Sequence, residues 1–221
     1  MKRALICFTR PPLPGRTKTR LMPLLTGEAC AALHAAFLRD AADVCGQVDA
    51  DLYVAYAPEG DWQVLREIFP AALGFFPQTG EGLGERMHRA LAGVLSLGYG
   101  ACVLIGSDLP ELTAEHLSAA FAALEEADVT LGPTADGGYY LVGLKEPCRD
   151  LFAGQRYGHA SVYENALAAV RSSHRSFCPA PACQDVDVPE DLMRLPGTVR
   201  PGSHTARLLK TMKWGEKQDD R

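Results

Sequence analysis

The chain has 221 residues, 47% hydrophobic and 22% charged, with 22 Lys+Arg against 27 Asp+Glu and a formal charge of −5. These are ordinary globular proportions, and they exclude disorder, collagen and simple repeats. The acidic balance leaves no global basic footprint, which argues against nucleic acid as a main partner and leaves a grip on any polyanion to a local cluster.

Arg3–Thr9 reads as a buried first strand; its apolar stretch is too short for a signal peptide and runs directly into Arg10 and two prolines. Thr26 then offers an N-cap, with Glu28 in the first turn, for an Ala-rich helix reaching about Cys45. Residues 51–57 read as the second strand, 62–69 as a short amphipathic helix and Gly74–Pro77 as a brief strand. Residues 83–97 form a helix whose Met87, Leu91, Val94 and Leu95 share one face, and Ala101–Ile105 is the clearest central strand. The uncharged run from Ala90 to Ser107 is long enough to raise a membrane span, but Gly93, Gly98, Gly100 and Gly106 divide it into helix, turn and strand. Thr113 N-caps a helix through Leu117, Phe121 and Leu124 to about Glu126. Residues 128–131 and Tyr139–Leu144 are two further strands, 161–170 are helical, 176–178 are extended, and Pro189 suits the first turn of a helix carrying Asp191 to Leu195. Strands alternating with helices define an α/β class around a mainly parallel sheet. No Pro/Gly/Ser linker divides the chain, so residues 1–200 read as one unit, followed over 201–221 by a C-terminal helix and a polar tail frayed from about Gly215.

Five segments could carry chemistry. Arg10, Arg16, Lys18 and Arg20 crowd around Gly15 in the loop after the first strand, where open α/β sheets bind ligands. Arg forks and a Lys point charge suit a phosphate chain, and on charge alone a solvated basic loop is an equal reading. Gly80, Gly82 and Gly84 open a helix that also carries Arg86; its amides could face an anion or a ribose, or the glycines could simply turn the chain. Ser107 and Asp108 follow the central strand, where a carboxylate could hold Mg²⁺ or Mn²⁺ or make a plain turn. Asp136, Gly137 and Gly138 could approach a ligand or form a hairpin turn. Alternation sends Asp185 and Asp187 to the same side of an extended segment, where Asp187 could supply a second metal carboxylate, cap the following helix, or do both. No Gly-x-Ser-x-Gly, Walker A or dinucleotide glycine pattern is present, and the six histidines show no metal-ligand spacing. The seven cysteines are odd in number and lack a C-x-x-C pair, which fits a reducing cytoplasm; Cys7 and Cys102 read as small buried hydrophobes.

The ordered motifs FTRPPLPGRTKTRL, GLGERM, LIGSDLP, LGPTADGGYYLVGL and DVDVPEDL resemble the DUF2064, or selenodomain-associated transferase 1, group within the nucleotide-diphospho-sugar transferase (GT-A) superfamily, over residues 4–195. The resemblance implies a three-layer Rossmann-like GT-A domain that uses a nucleotide-activated donor and a small-molecule acceptor. It implies Asp108 and Asp187 as ligands of Mg²⁺ or Mn²⁺, and Asp108, Lys18 and Asp187 as the catalytic set. Arg10, Gly15, Arg16, Lys18, Arg20, Gly82, Gly84, Arg86 and Ser107 would contact nucleotide and phosphate, and Asp136, Gly137 and Gly138 the acceptor. At Tyr157-Gly158-His159 the sequence departs from the family, which usually shows Trp, a small residue and Thr. Glycosyl transfer is the first reading and nucleotidyl transfer from a triphosphate the alternative, favoured by four cations in one loop and by one carboxylate where glycosyltransferases often carry Asp-x-Asp. A nucleotide-binding protein without catalysis is the third reading.

Overall fold

The computed structural model describes residues 1–212. Six strands, β1 (Arg3–Thr9), β2 (Asp51–Tyr56), β3 (Gly74–Pro77), β4 (Ala101–Ile105), β5 (Val129–Pro133) and β6 (Tyr139–Leu144), form one sheet in the order β3-β2-β1-β4-β6-β5. The first four are mutually parallel, and β6 runs antiparallel between β4 and β5. The mainly parallel α/β sheet expected from the sequence is the one observed. Between them lie α1 (Gly27–Cys45), α2 (Val64–Ile68), α3 (Leu83–Leu95) and α4 (Ala114–Glu126), and after them α5 (Val162–Ser172), α6 (Pro189–Thr198) and α7 (His204–Thr211).

The two-residue period of the strands builds a core on each face of the sheet. Leu5, Cys7, Val103 and Ile105 point to one side, against Leu38 of α1, Leu65 of α2 and Leu117 and Phe121 of α4. Ala4, Ile6, Cys102 and Leu104 point to the other, against Met87, Leu91 and Val94 of α3 and Ala166 and Val170 of α5. The result is helix, sheet, helix. The outer face of α1 makes a third cluster, in which Leu33 and Phe37 meet Leu192, Leu195 and Leu209 of α6 and α7.

Local signals set the helix ends. Thr26 caps α1, its side chain accepting from Ala29 N at 3.2 Å. At α6 the capping runs opposite to the expectation that placed Asp187 at the cap. Asp191 reaches back and accepts from Asp187 N and Val188 N, both at 3.1 Å, which leaves the Asp187 carboxylate for other work. The C-terminal helix is α7, and Asp40 of α1, 3% exposed, accepts from the first amides of that helix, His204 N at 2.7 Å and Thr205 N at 2.9 Å. All seven cysteines are free, and six are buried. Burial pushes the Cys45 thiol up to about 12, far from a reactive thiolate. The polar tail expected from about Gly215 lies outside the described residues. Among the described residues no helix is long and apolar enough to cross a membrane.

Candidate functional site

Because β1 and β4 are parallel neighbours, the segments leaving their carboxyl ends emerge at the same edge of the sheet. The basic loop follows Thr9 and Asp108 follows Ile105. The segment before α6 crosses here too, since Val186 N donates to Asp108 O at 3.0 Å. That one backbone bond carries Asp187 to Asp108. Thr9 Oγ1 donates to Ser107 Oγ at 2.9 Å and ties the two strand ends together. A cleft of about 680 Å³ opens over this edge. Arg10, Arg16 and Arg20 line it, together with Asp185, Tyr139 and Tyr157, with Gln78 after β3, and with Leu83 and Arg86 from the start of α3.

Lys18 stands at the centre. Its side chain is 4% exposed, and Nζ donates to Asp187 Oδ1 at 3.0 Å and to Val186 O at 2.5 Å, with Asp108 Oδ2 at 2.9 Å. Burial works against the ammonium, but Asp108 and Asp187 outweigh it and raise the Lys18 pKa above the ordinary lysine range. Burial likewise favours protonation of Asp108, yet Lys18 and then His34 hold its carboxyl well below the usual carboxylate range. At Asp185 the attraction of Lys18 is outweighed. Burial, with Asp187 and Asp136 nearby, raises its carboxyl to about 6.

Two residues that sequence reasoning passed over belong to the site. His34 of α1 is 2% exposed, with Nε2 3.1 Å from Arg10 O and Nδ1 3.3 Å from Asp108 Oδ1, off the line of a hydrogen bond. It props the basic loop and the carboxylate from below. Gln78, just past β3, spends both Nε2 hydrogens on Thr9 O at 2.8 Å and Ala55 O at 3.0 Å, so Oε1 is the polar atom left for a ligand in the cleft.

Of the residues expected at the site, Arg10, Arg16, Lys18, Arg20, Arg86, Ser107, Asp108 and Asp187 line this cleft together, and Asp185 joins them as the alternation implied. Gly84 does not; a Cβ there would sit 2.7 Å from Phe152 O and 2.9 Å from the Tyr157 ring, so this glycine serves the packing of α3. Gly15 and Gly82 have open space around them and lie outside the cleft lining. Asp136, Gly137 and Gly138 are not among the residues that line the cleft, although Asp136 stands near enough to Asp185 to raise its carboxyl. The Asp136 carboxylate accepts from Thr134 Oγ1 and Gly138 N, and Gly137 takes φ +86° against Ala160, which is a hairpin turn built for its own geometry. Tyr139 and Tyr157, whose hydroxyls lie 3.1 Å apart, do line the cleft. A separate cluster of Asp40, Asp43 and His204 brings potential metal ligands together, but Asp40 is already committed to the amides of α7.

The sequence pattern of a family described as an uncharacterized protein conserved in bacteria (DUF2064) matches residues 38–159. A crystal structure from Desulfovibrio desulfuricans G20, provisionally described as a nucleotide-diphospho-sugar transferase, is similar at TM-score 0.85 and 35% identity, over 96% of this chain and 95% of that one. A cytidylyltransferase from Leptospira borgpetersenii is similar at TM-score 0.56 and 14% identity, over 96% and 93%. Rv0371c of Mycobacterium tuberculosis, solved as a manganese complex, is similar at TM-score 0.51 and 17% identity, over 90% and 100%. The last two are likenesses of fold. No curated protein matches the chain.

Proposed function

Because the chain belongs to the DUF2064 family, whose fold is that of nucleotide-utilising transferases, we propose that it moves a glycosyl group from a nucleotide-activated sugar to a small hydroxyl-bearing acceptor. The observation that carries this reading is the polarity of the cleft. Arg10, Arg16 and Arg20 form no ion pair among the described residues and face the space where a diphosphate would lie. The same cleft offers Asp185 and two tyrosine hydroxyls, groups that suit a neutral hydroxyl acceptor and repel a phosphorylated one. Gln78 Oε1, left over from the two Nε2 donations, would accept from the amino group of a base.

Asp108 and Asp187 fit a hard divalent cation, Mg²⁺ or Mn²⁺, because both already turn a carboxylate oxygen to one buried positive charge. Such an ion would offset charge on the departing nucleoside diphosphate. The manganese complex of the mycobacterial neighbour supports a divalent ion in this fold. The chain's own part is to hold the phosphates with the β1–α1 loop, to fix Asp108 between His34 and Lys18, and to close the back of the cleft with Tyr140 and Val142. Three free arginines together with Lys18 exceed what a diphosphate needs, and this favours nucleotidyl transfer from a triphosphate as the second reading.

Calorimetric titration of UDP-, GDP- and ADP-sugars against the corresponding triphosphates, each with and without Mg²⁺, tests both. Tighter metal-dependent binding of a diphosphosugar supports glycosyl transfer, and tighter binding of a triphosphate replaces it with nucleotidyl transfer. Binding with no turnover on any hydroxyl or phosphate acceptor would mark a nucleotide-binding protein that kept the fold.

A further inference from the structure

We propose that Lys18 is the resident cation of the two-carboxylate site and that a divalent ion enters by displacing its ammonium, so that this site takes a metal–polyphosphate complex in preference to the free ion, which displaces the lysine only at saturating concentration. The inference rests on the metal-dependent reading above and specifies what it binds.

An ammonium has three hydrogens, and Lys18 Nζ has three oxygens at 2.5 to 3.0 Å, from Val186, Asp108 and Asp187. In this arrangement it has nothing left to give a phosphate, although the loop that carries it is otherwise the phosphate-binding wall. A hard cation held by the Asp108 and Asp187 carboxylates would sit close to the ammonium that already lies 2.9 and 3.0 Å from them, and two cations so placed repel each other. The lysine also has a structural duty in the nucleotide-free protein. Without a cation between them, Asp108, Asp187 and the neighbouring Asp185 would leave like charges crowded at a partly buried edge.

Free metal must therefore expel a buried ammonium into a cleft whose nearby wall already carries three arginines. A metal bound to a polyphosphate brings the remedy with it, because phosphate oxygens replace the carboxylates as acceptors for the displaced Nζ. The backbone is set for such a movement. Lys18 has φ 54° and ψ 37°, the left-handed region that a residue with a Cβ enters only under strain, and it sits at the start of the three-residue 3₁₀ turn Thr19–Leu21. Arg16, Thr19 and Arg20 around it are exposed, while Thr17 and Leu21 on either side are buried, so the exchange is a movement of the Lys18 side chain within an anchored loop.

The test compares Mn²⁺ binding by the full-length wild type, Lys18→Met and Asp108→Asn, followed through the electron paramagnetic resonance signal of free Mn²⁺, alone and with CDP, UDP, ADP or GDP. Expected is a change of opposite sign in Lys18→Met: free Mn²⁺ binds at least tenfold tighter than in wild type, while the Mn²⁺–nucleotide complex binds at least tenfold more weakly. Simple loss of structure would weaken both. If Lys18→Met binds free Mn²⁺ no more tightly while the wild type still takes Mn²⁺ with a nucleotide, the displacement idea falls and the proposed function stands. If the wild type binds Mn²⁺ with none of the nucleotides, the proposed function falls as well. Should Lys18→Met fail to fold, acetylation of the wild type by acetic anhydride reads the same exchange, with Lys2 and Lys145 as internal references. Saturating Mg²⁺ without nucleotide should raise acetylation of Lys18 severalfold, and unchanged protection would overturn the proposal.

Discussion

Replacing Gln78 with leucine separates the structural duty of this side chain from its duty to a ligand. Gln78 is 8% exposed and its Nε2 donates to Thr9 O and Ala55 O, bracing the carboxyl ends of β1 and β2. Leucine fills a similar volume, so the loss is that of two hydrogen bonds and not of a cavity. At about 1 kcal/mol net for each bond, the fold should lose about 2 kcal/mol. Thr9 O keeps a second donor, Ala57 N at 2.9 Å, which holds the cost near that figure. For a domain of this size the melting temperature should fall by about 4 to 8 °C, measured by circular dichroism. Gln78→Glu, which turns carboxylate oxygens toward the same carbonyls, should cost more despite its nearly identical shape. In binding, loss of Oε1 should reduce affinity about tenfold for nucleotides whose base carries an amino group and leave uridine nucleotides no weaker. A leucine variant melting within about 1 °C of wild type would refute the bracing role. Equal losses across cytidine, adenosine, guanosine and uridine nucleotides would refute the base contact.

Asp108→Asn should abolish the Mg²⁺-dependent part of nucleotide binding while the far-ultraviolet spectrum stays native; unchanged affinity with and without Mg²⁺ would remove Asp108 from the metal site. Its carboxyl is depressed in the folded protein, so its contribution to stability is present above the ordinary aspartate value of about 3.9 and lost as pH falls through the lower folded value. Lys18 is raised, so its contribution is present below about 10.4 and lost as pH climbs through the higher folded value. The difference in melting temperature between wild type and Asp108→Asn should accordingly be flat from about pH 5 to 9 and shrink below about pH 4. Gly137→Ala would place a Cβ 2.1 Å from Ala160 O at φ +86° and should destabilise by more than about 2 kcal/mol, whereas Gly93→Ala, in open space on α3, should stabilise by about 0.5 to 1 kcal/mol; denaturant titration of the pair checks both signs. Asp40→Ala should cost about 1 to 2 kcal/mol and release α7, seen as faster hydrogen exchange over residues 204–211.

Much of the fold was legible because its signals are local. The apolar runs of β1 and β4, the Thr26 cap and the one-sided stripe of α3 specify element type and inward face within a few residues, and the observed strands Arg3–Thr9, Gly74–Pro77, Ala101–Ile105 and Tyr139–Leu144 fall where those patterns end. Asp108 was legible for the same reason, as a carboxylate one turn beyond a buried strand. The roles within the site were not. Arg10, Arg16, Lys18 and Arg20 are equivalent as letters in one loop, and only the crossing of Val186 over Asp108 buries Lys18 between two carboxylates while its neighbours stay exposed. His34 is one polar residue on an Ala-rich helix, and Gln78 one amide after a short strand; neither has a spacing that marks it, because their partners are backbone oxygens of other segments. Asp136 carried a stronger local signal than either, and its carboxylate accepts within its own turn, as the hairpin reading implied. Periodicity and capping act through neighbours along the chain, so the residues alone specify the sheet, its two covered faces and the edge from which the basic loop and Asp108 emerge. Which charges meet there depends on contacts between segments far apart in the chain, and those were decided only when the helices packed against the sheet.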